Sequence, residues 1–432
     1  MSNSPQIFHA DWWVPAQVHP SNRGPFKMIQ PGYEKRHTGS LVYYGDKDST
    51  LELYLTPSHF RGTFFHHNPV MWGKDANGLL FTLFNVSIVA DQETDFSTTR
   101  YIVDFILLGD QVLSLTEAKY NRCIVQFPYL RNWAFRNNLF SKTEENGCCH
   151  TLLDFPHQHI LLEAQVEDGI KWVLRDKNRQ DRSNYYDLII TQSTDFVIEA
   201  DKATSIEVYY NNIVEFTQLL SIALYCEQSP TEIFFVSDKN IAFEFLFVKE
   251  DSVKPKSLKL IKYDELKEKI PSVLKIWHDN YDRVSPISTY LKESFREKNV
   301  FNAPDFLIVA EALDGYYKRF VNKKNGKDYR KYKDQIDILL KQFKDIEAIQ
   351  RIKIDSKVLT DTRNKYSHLY PDEEKSGAVE GFDLIMLTKK CQILLTCCIL
   401  NLLGLTNDEI NLCINNSPLN ETIESIESEF EL

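Results

Sequence analysis

Between residues 251 and 260 the apolar residues of this chain stop recurring at every second position and begin recurring every three to four. A period of two marks a strand with one buried face and a period of 3.6 marks an amphipathic helix, so two folding patterns follow one another in one polypeptide. From about residue 38 to 250 the alternating pattern dominates. Gly39-Ser-Leu-Val-Tyr-Tyr44, an Asp46-Lys-Asp-Ser49 turn and Leu51-Glu-Leu-Tyr-Leu55 predict a hairpin with Leu51, Leu53 and Leu55 on one face. Further strands are predicted at 79–89, 101–108, 123–127, 170–174, 187–190, 196–200, 232–236 and 243–249. So many short strands imply a sandwich or barrel. Residues 211–227 interrupt them with a helix whose Ile213, Phe216, Leu219, Leu220, Ala223 and Leu224 form one stripe. Beyond residue 260, helices are predicted at 264–279, 285–298, 303–320, 331–349, 352–367 and 379–403.

A chain of 432 residues exceeds one ordinary core. The expected class is α+β, with a β-rich domain at 1–255 carrying an inserted helix and an all-α bundle at 262–425. The boundary falls in the polar, lysine-rich DSVKPKSLKL stretch, where Pro255 opposes continued helix. The last dozen residues read as an acidic, solvated end from which Ile423, Ile426 and Phe430 are available to dock.

Net charge narrows the function classes. At −11, with pI near 5.6, the chain is not coated in basic surface, so nucleic-acid binding requires a local patch. Eight cysteines at irregular spacings, with adjacent pairs at Cys148-Cys149 and Cys397-Cys398, do not form a disulfide framework and imply a reducing cytoplasm. The Met-Ser-Asn-Ser-Pro start predicts no secretory signal. The apolar run from Cys391 to Leu405 is shorter than the roughly 20 residues of a membrane span, and is read as a buried helix with no membrane partner.

Four groups of residues carry candidate chemistry. Cys148, Cys149, His150, His157 and His159 form the densest set of soft ligands, although adjacent cysteines seldom turn toward one ion; buried thiols and loop histidines are the plain alternative. Lys318-Arg319, Lys323-Lys324, Lys327, Arg330-Lys331 and Lys333 are interleaved with Tyr316, Tyr317, Tyr329 and Tyr332, a mixture that suits phosphates and stacked bases but also suits a solvated helix end. Arg363 and His368 close a helical segment before Pro371. Ile354, Val358, Thr362 and Tyr366 mark its inner stripe, leaving Arg363 beside it. A helix-terminal arginine and a surface histidine account equally well for that pair. Arg61 and His66 repeat the spacing within the strand-rich half, where their setting favours structure over chemistry.

The chain resembles anti-phage proteins of the ApeA type. Trp12-Trp-Val-Pro15, Gly39-Ser-Leu-Val-Tyr43, Leu51-Glu-Leu53, Leu107-Leu-Gly109 and Phe127-Pro-Tyr-Leu-Arg-Asn-Trp133 resemble their amino-terminal domain. Asp11 stands where the opening motif usually has glycine. The helices after residue 285, with Glu311 and later Arg363-Asn364-x-x-x-His368, resemble the HEPN superfamily. The resemblance implies a metal-independent, cofactor-free ribonuclease that dimerises through its HEPN helices and restrains phage growth (abortive infection), with the β-rich half sensing a phage-derived trigger. It implies Arg363 and His368 as catalytic residues, Asn364 and Glu311 as supporting residues, and Lys323, Lys324, Lys327 and Arg330 as RNA contacts, transfer RNA being the first candidate substrate. The competing class is a non-catalytic HEPN protein that binds RNA, a nucleotide or a partner while the β-domain recognises a ligand.

Overall fold

The computed structural model describes residues 4–15, 17–20, 27–30, 33–55, 67–92, 97–134, 139–143, 149–153, 158–184, 187–295, 302–322, 330–369 and 377–428. The strands in chain order are Gln6–Val14 (β1), Gln17–Pro20 (β2), Lys27–Gln30 (β3), Tyr33–Tyr43 (β4), Ser49–Leu55 (β5), His67–Asp75 (β6), Leu80–Gln92 (β7) and Ser97–Leu108 (β8). They continue as Lys119–Gln126 (β9), Leu139–Thr143 (β10), Cys149–Leu153 (β11), Gln158–Glu167 (β12), Ile170–Asn184 (β13), Asp187–Ser205 (β14), Glu232–Val236 (β15) and Ala242–Phe247 (β16). The helices are Leu130–Trp133 (α1), Ile206–Leu224 (α2), Tyr263–Leu266 (α3), Ile270–Ser294 (α4), Ala303–Tyr316 (α5), Tyr332–Gln342 (α6), Glu347–Ile352 (α7), Ser356–His368 (α8), Gly381–Leu402 (α9), Asn407–Asn415 (α10) and Pro418–Ser428 (α11).

The fold is α+β, a strand-rich half followed by helices. Twelve strands join in the order β12-β13-β14-β9-β15-β16-β8-β5-β4-β1-β6-β7, and β7 also pairs with β8. That last pairing closes β8, β5, β4, β1, β6 and β7 into a barrel, which removes their free edges. The closure works because β8 is shared. Its first half pairs with β5 as far as Val103, and its second half pairs with β16 from Phe105 onward. The expected 39–55 hairpin is β4–β5, with Leu41 opposite Leu51 and both leucines fully buried inside the barrel.

Trp12 fills the barrel with Leu53, Met71, Phe81 and Tyr101. Its indole N–H donates to the Gly39 carbonyl at 3.3 Å, and a Cβ on Gly73 would lie 2.3 Å from its ring, so the glycine provides the space for the tryptophan. The rest of the sheet, from β16 to β12, forms an open wing against which α2 packs.

Helix α2 begins at Ser205, whose side chain accepts from the Val208 N–H, and it buries both flanks. Phe216 stacks on Phe196 of β14 at 3.8 Å and meets Trp133 and Trp172 edge-on. Toward the helical half, the Trp277 indole donates to the Glu215 carbonyl at 2.9 Å, and Nδ1 of His278 lies 2.7 Å from the Glu215 carboxylate. One hydrophobic cluster therefore runs from the sheet wing through α2 into the bundle, including Ile198, Phe216, Trp277, Leu313 and Ile399.

Three expectations change on inspection. The segments expected at 264–279 and 285–298 belong largely to one helix, α4, which continues through Pro286. The proline removes one backbone bond, but Val284, Ile287 and Leu291 stay buried on the same face, and Gln218 of α2 donates to the Ser285 carbonyl. The segment expected at 331–349 divides into α6 and α7, because buried Phe343 and Ile346 turn the chain into the core. The acidic end is helical in α11, with Ile423 and Ile426 buried and Arg351 holding Glu427 through two bonds of 2.8 and 2.6 Å.

The 251–260 stretch is not a loose tether. Val253 donates to the Glu227 carbonyl at 2.9 Å, Ser252 exchanges bonds with Ser229, and Leu260 is fully buried. The apolar run in α9 is spent on the chain's own core, where Cys391, Leu394, Cys397 and Leu400 are fully buried, leaving Phe382 as its exposed large apolar residue. No helix among the described residues is long and apolar enough to cross a membrane.

Two outcomes follow for stability. The His278 imidazole is raised above its ordinary value of 6.5, first by its hydrogen bond to Glu215. Its contribution is therefore complete below the unfolded value and fades as pH rises through the folded one. The gap in thermal midpoint between wild type and His278→Gln should be widest below about pH 6.5 and should narrow as the pH rises above it. Trp277→Ala empties a fully buried site and should cost about 3–5 kcal/mol in chemical denaturation.

Candidate active site

Helix α8 starts where the Asp355 carboxylate accepts from the Lys357 and Val358 N–H groups at 2.7 and 3.2 Å. It stops where Leu369 takes a left-handed conformation, φ 53° and ψ 41°, just after His368. Leucine rarely adopts that geometry, and here its side chain is 85% exposed.

The inner face of α8 is fastened to the approach to α9. Thr362 is fully buried and accepts from the Val379 N–H at 3.1 Å, Tyr366 donates to the Val379 carbonyl at 3.4 Å, and Lys365 pairs with Glu380. These bonds fix the rotation of the helix. The side turned away from that seam carries Asn364 and the exposed His368, while Arg363 stands at its flank, toward α5.

Arg363 reaches across to α5. Its Nε and Nη2 both approach Glu311 Oε1, at 3.0 and 2.8 Å, while Nη1 donates to Asn364 Oδ1 at 3.4 Å. The guanidinium carbon lies 5.4 Å from the ring centroid of Tyr332, the first residue of α6. The Tyr332 hydroxyl donates to the Ala310 carbonyl at 3.0 Å, next to Glu311, and burial pushes its pKa far above the usual tyrosine range. An arginine so held keeps its plane and position, which suits it to stabilise charge on a bound phosphate.

The structure thus brings Glu311, Asn364 and Arg363 together and leaves His368 at the far end of the same helix. Five residues separate it from Arg363, roughly 140° around the axis and about 7.5 Å along it. Tyr332 was visible in the sequence only as one of several tyrosines beside basic residues; no spacing linked it to Arg363. Arg330 is exposed and donates to the Tyr317 hydroxyl at 3.2 Å. Lys323, Lys324 and Lys327 lie outside the described residues, as do Arg61, His66, Cys148 and His157. Cys149 and His150 fall on β11 and His159 on β12. Among the described residues no group of three or more His, Cys, Asp or Glu side chains is placed to hold a metal ion.

A separate cleft of about 460 Å³ lies between α2 and α4, lined by Tyr210, Thr217, Gln218, Tyr281, Ser285 and Lys292 among others. It joins the two halves of the chain away from Arg363.

The Arg363–Glu311 pair is only partly buried, with 22% and 40% of the side chains exposed. Such pairs contribute about 0.2–1 kcal/mol, so Glu311→Ala should leave stability within about 1 kcal/mol of wild type in a urea titration.

Compared with family models, residues 10–277 match the ApeA N-terminal domain 1, which is more than half of the chain, and residues 307–409 match the Apea-like HEPN domain. Glu311, Tyr332, Arg363 and His368 all fall within the second match. No curated protein and no solved structure matches the chain significantly.

Proposed function

The chain belongs to the family with an ApeA N-terminal domain followed by an ApeA-like HEPN domain, and from that premise we propose that it is a metal-independent endoribonuclease of anti-phage defence. The observation that carries this reading is the orientation of Arg363 by Glu311 and Tyr332 on a helix that ends, exposed, at His368.

The chemistry needs little more. RNA carries a 2′-hydroxyl beside each phosphodiester. His368 takes its proton, the oxygen attacks phosphorus as the bond to the 5′-oxygen of the next nucleotide breaks, and the proton held by His368 passes through water to that departing oxygen. Arg363 stabilises the charge that grows on the phosphoryl oxygens. The products are a 2′,3′-cyclic phosphate and a 5′-hydroxyl.

Helical geometry separates Arg363 and His368 within one copy, so a second copy completes the site. Leu369, 85% exposed, supplies apolar surface at that end of α8, where a homodimer joins. The β-rich half senses the trigger, and the chain works in the cytoplasm.

One observation favours a second reading. Glu311 already neutralises Arg363, as it would in a HEPN protein that binds RNA or a partner without cutting.

Incubation of the purified chain with RNA separates the two. Cleavage should persist in EDTA, leave the stated ends and spare substrate with 2′-deoxyribose at the cut site. His368→Ala should lower kcat by about 10²–10⁴, and Arg363→Ala should abolish cutting with the unfolding midpoint unchanged. Cleavage of the deoxy substrate, or dependence on Mg²⁺ or Zn²⁺, overturns the mechanism; absence of cleavage with RNA still bound favours the second reading.

A further inference from the structure

Helix α5 ends in a π-helical turn, Tyr317–Val321, closed by the Asn322 N–H on the Tyr317 carbonyl at 2.9 Å. Widened turns of this kind often re-aim side chains at functional sites. This one turns Arg319 toward Arg283 of α4. Each arginine donates to the other's backbone carbonyl, Arg319 Nη1 to Arg283 O at 2.8 Å and Arg283 Nη2 to Arg319 O. The Arg283 guanidinium lies 4.5 Å from the centroid of Phe320, which is steadied in turn by Tyr316 at 5.4 Å.

Both arginines are exposed, and neither has a carboxylate within 4.0 Å among the described residues. The adjacent cation Lys318 is neutralised by Asp314 at 2.5 Å, so the charge left over belongs to the arginine pair. These reciprocal bonds set each guanidinium beside the other residue's backbone and leave most of the five N–H donors of each arginine unused. Phosphate oxygens accept well from such unused guanidinium donors, so successive phosphates of one strand suit the two arginines.

We propose that Arg283 and Arg319 form a phosphate-binding site for the backbone of single-stranded RNA, positioning substrate for Arg363 and His368. Arg319 lies eight residues after Glu311 along the same helical run, about 12 Å in the axial direction, so one strand passes both places. The choice of RNA as the polyanion rests on the ribonuclease reading; the unmatched pair of guanidiniums does not.

The test measures binding of a fully 2′-O-methylated RNA oligonucleotide, which cannot be cut by 2′-hydroxyl attack, across a salt series. Relative to wild type, the Arg283→Gln/Arg319→Gln double variant should lose about 1.4 from the magnitude of the slope of log affinity against log salt, since each phosphate contact contributes about 0.7 on single strands. Arg283→Lys/Arg319→Lys keeps the charges and should retain most of the slope, which separates lost charge from misfolding. With cleavable RNA, the Gln variant should show a raised KM and an unchanged kcat. A wild-type slope and KM in the Gln variant overturn the proposal while leaving the ribonuclease intact. A pair-dependent slope in a protein that never cuts RNA sustains this site and overturns the ribonuclease reading.

Discussion

Helix α2 is the member on which the rest of the structure leans. From Ile213 to Leu224 it buries nearly every side chain, with Phe216 stacked on Phe196 on one flank and Glu215 tied to Trp277 and His278 on the other. A helix apolar on most of its circumference is stable only with neighbours around it. The sheet wing and α4 are those neighbours, so neither half completes its core without the other.

The barrel plays a different part. Its interior cluster is separate from the long core that joins the wing to the bundle, and β6, β7, β8 and β16 give residues to both, β8 being the strand that pairs with both the barrel and the wing. The barrel meets the wing at β8 and β16, the wing packs on α2, and α2 packs on α4. The Arg363 site on α5 and α8 lies further along that chain of contacts, through the packing of α4 on α5.

Much of this was legible in the sequence where the physics is local. Alternating Leu51 and Leu53 gave the hairpin, the stripe from Ile213 to Leu224 gave α2, and the 3.6 period gave the helical half. Closure of the barrel was not legible, because it depends on β7 returning to β8 and β1 reaching β6, pairings that no local pattern encodes. Pro286 misled for a similar reason: the local rule breaks the helix, and tertiary burial of Val284, Ile287 and Leu291 keeps it whole. At the candidate site, Arg363, Glu311 and His368 were nameable from motif and resemblance, whereas Tyr332 and the Arg283–Arg319 pair meet only through the packing of α4, α5, α6 and α8.

The length of α4 bears on how such a protein can change over evolution. At 25 residues it runs about 37 Å, with Trp277 and His278 seated against α2 at one part and Arg283 facing the π turn at another. The family match to the amino-terminal domain ends at residue 277, inside this helix rather than before it. The two halves are therefore not interchangeable cassettes. A recombinant that joined the strand-rich part of one relative to the bundle of another at the 251–260 loop would set one chain's α2 against another's α4, and the contacts of Glu215 with Trp277 and His278 would have to be rebuilt across that seam.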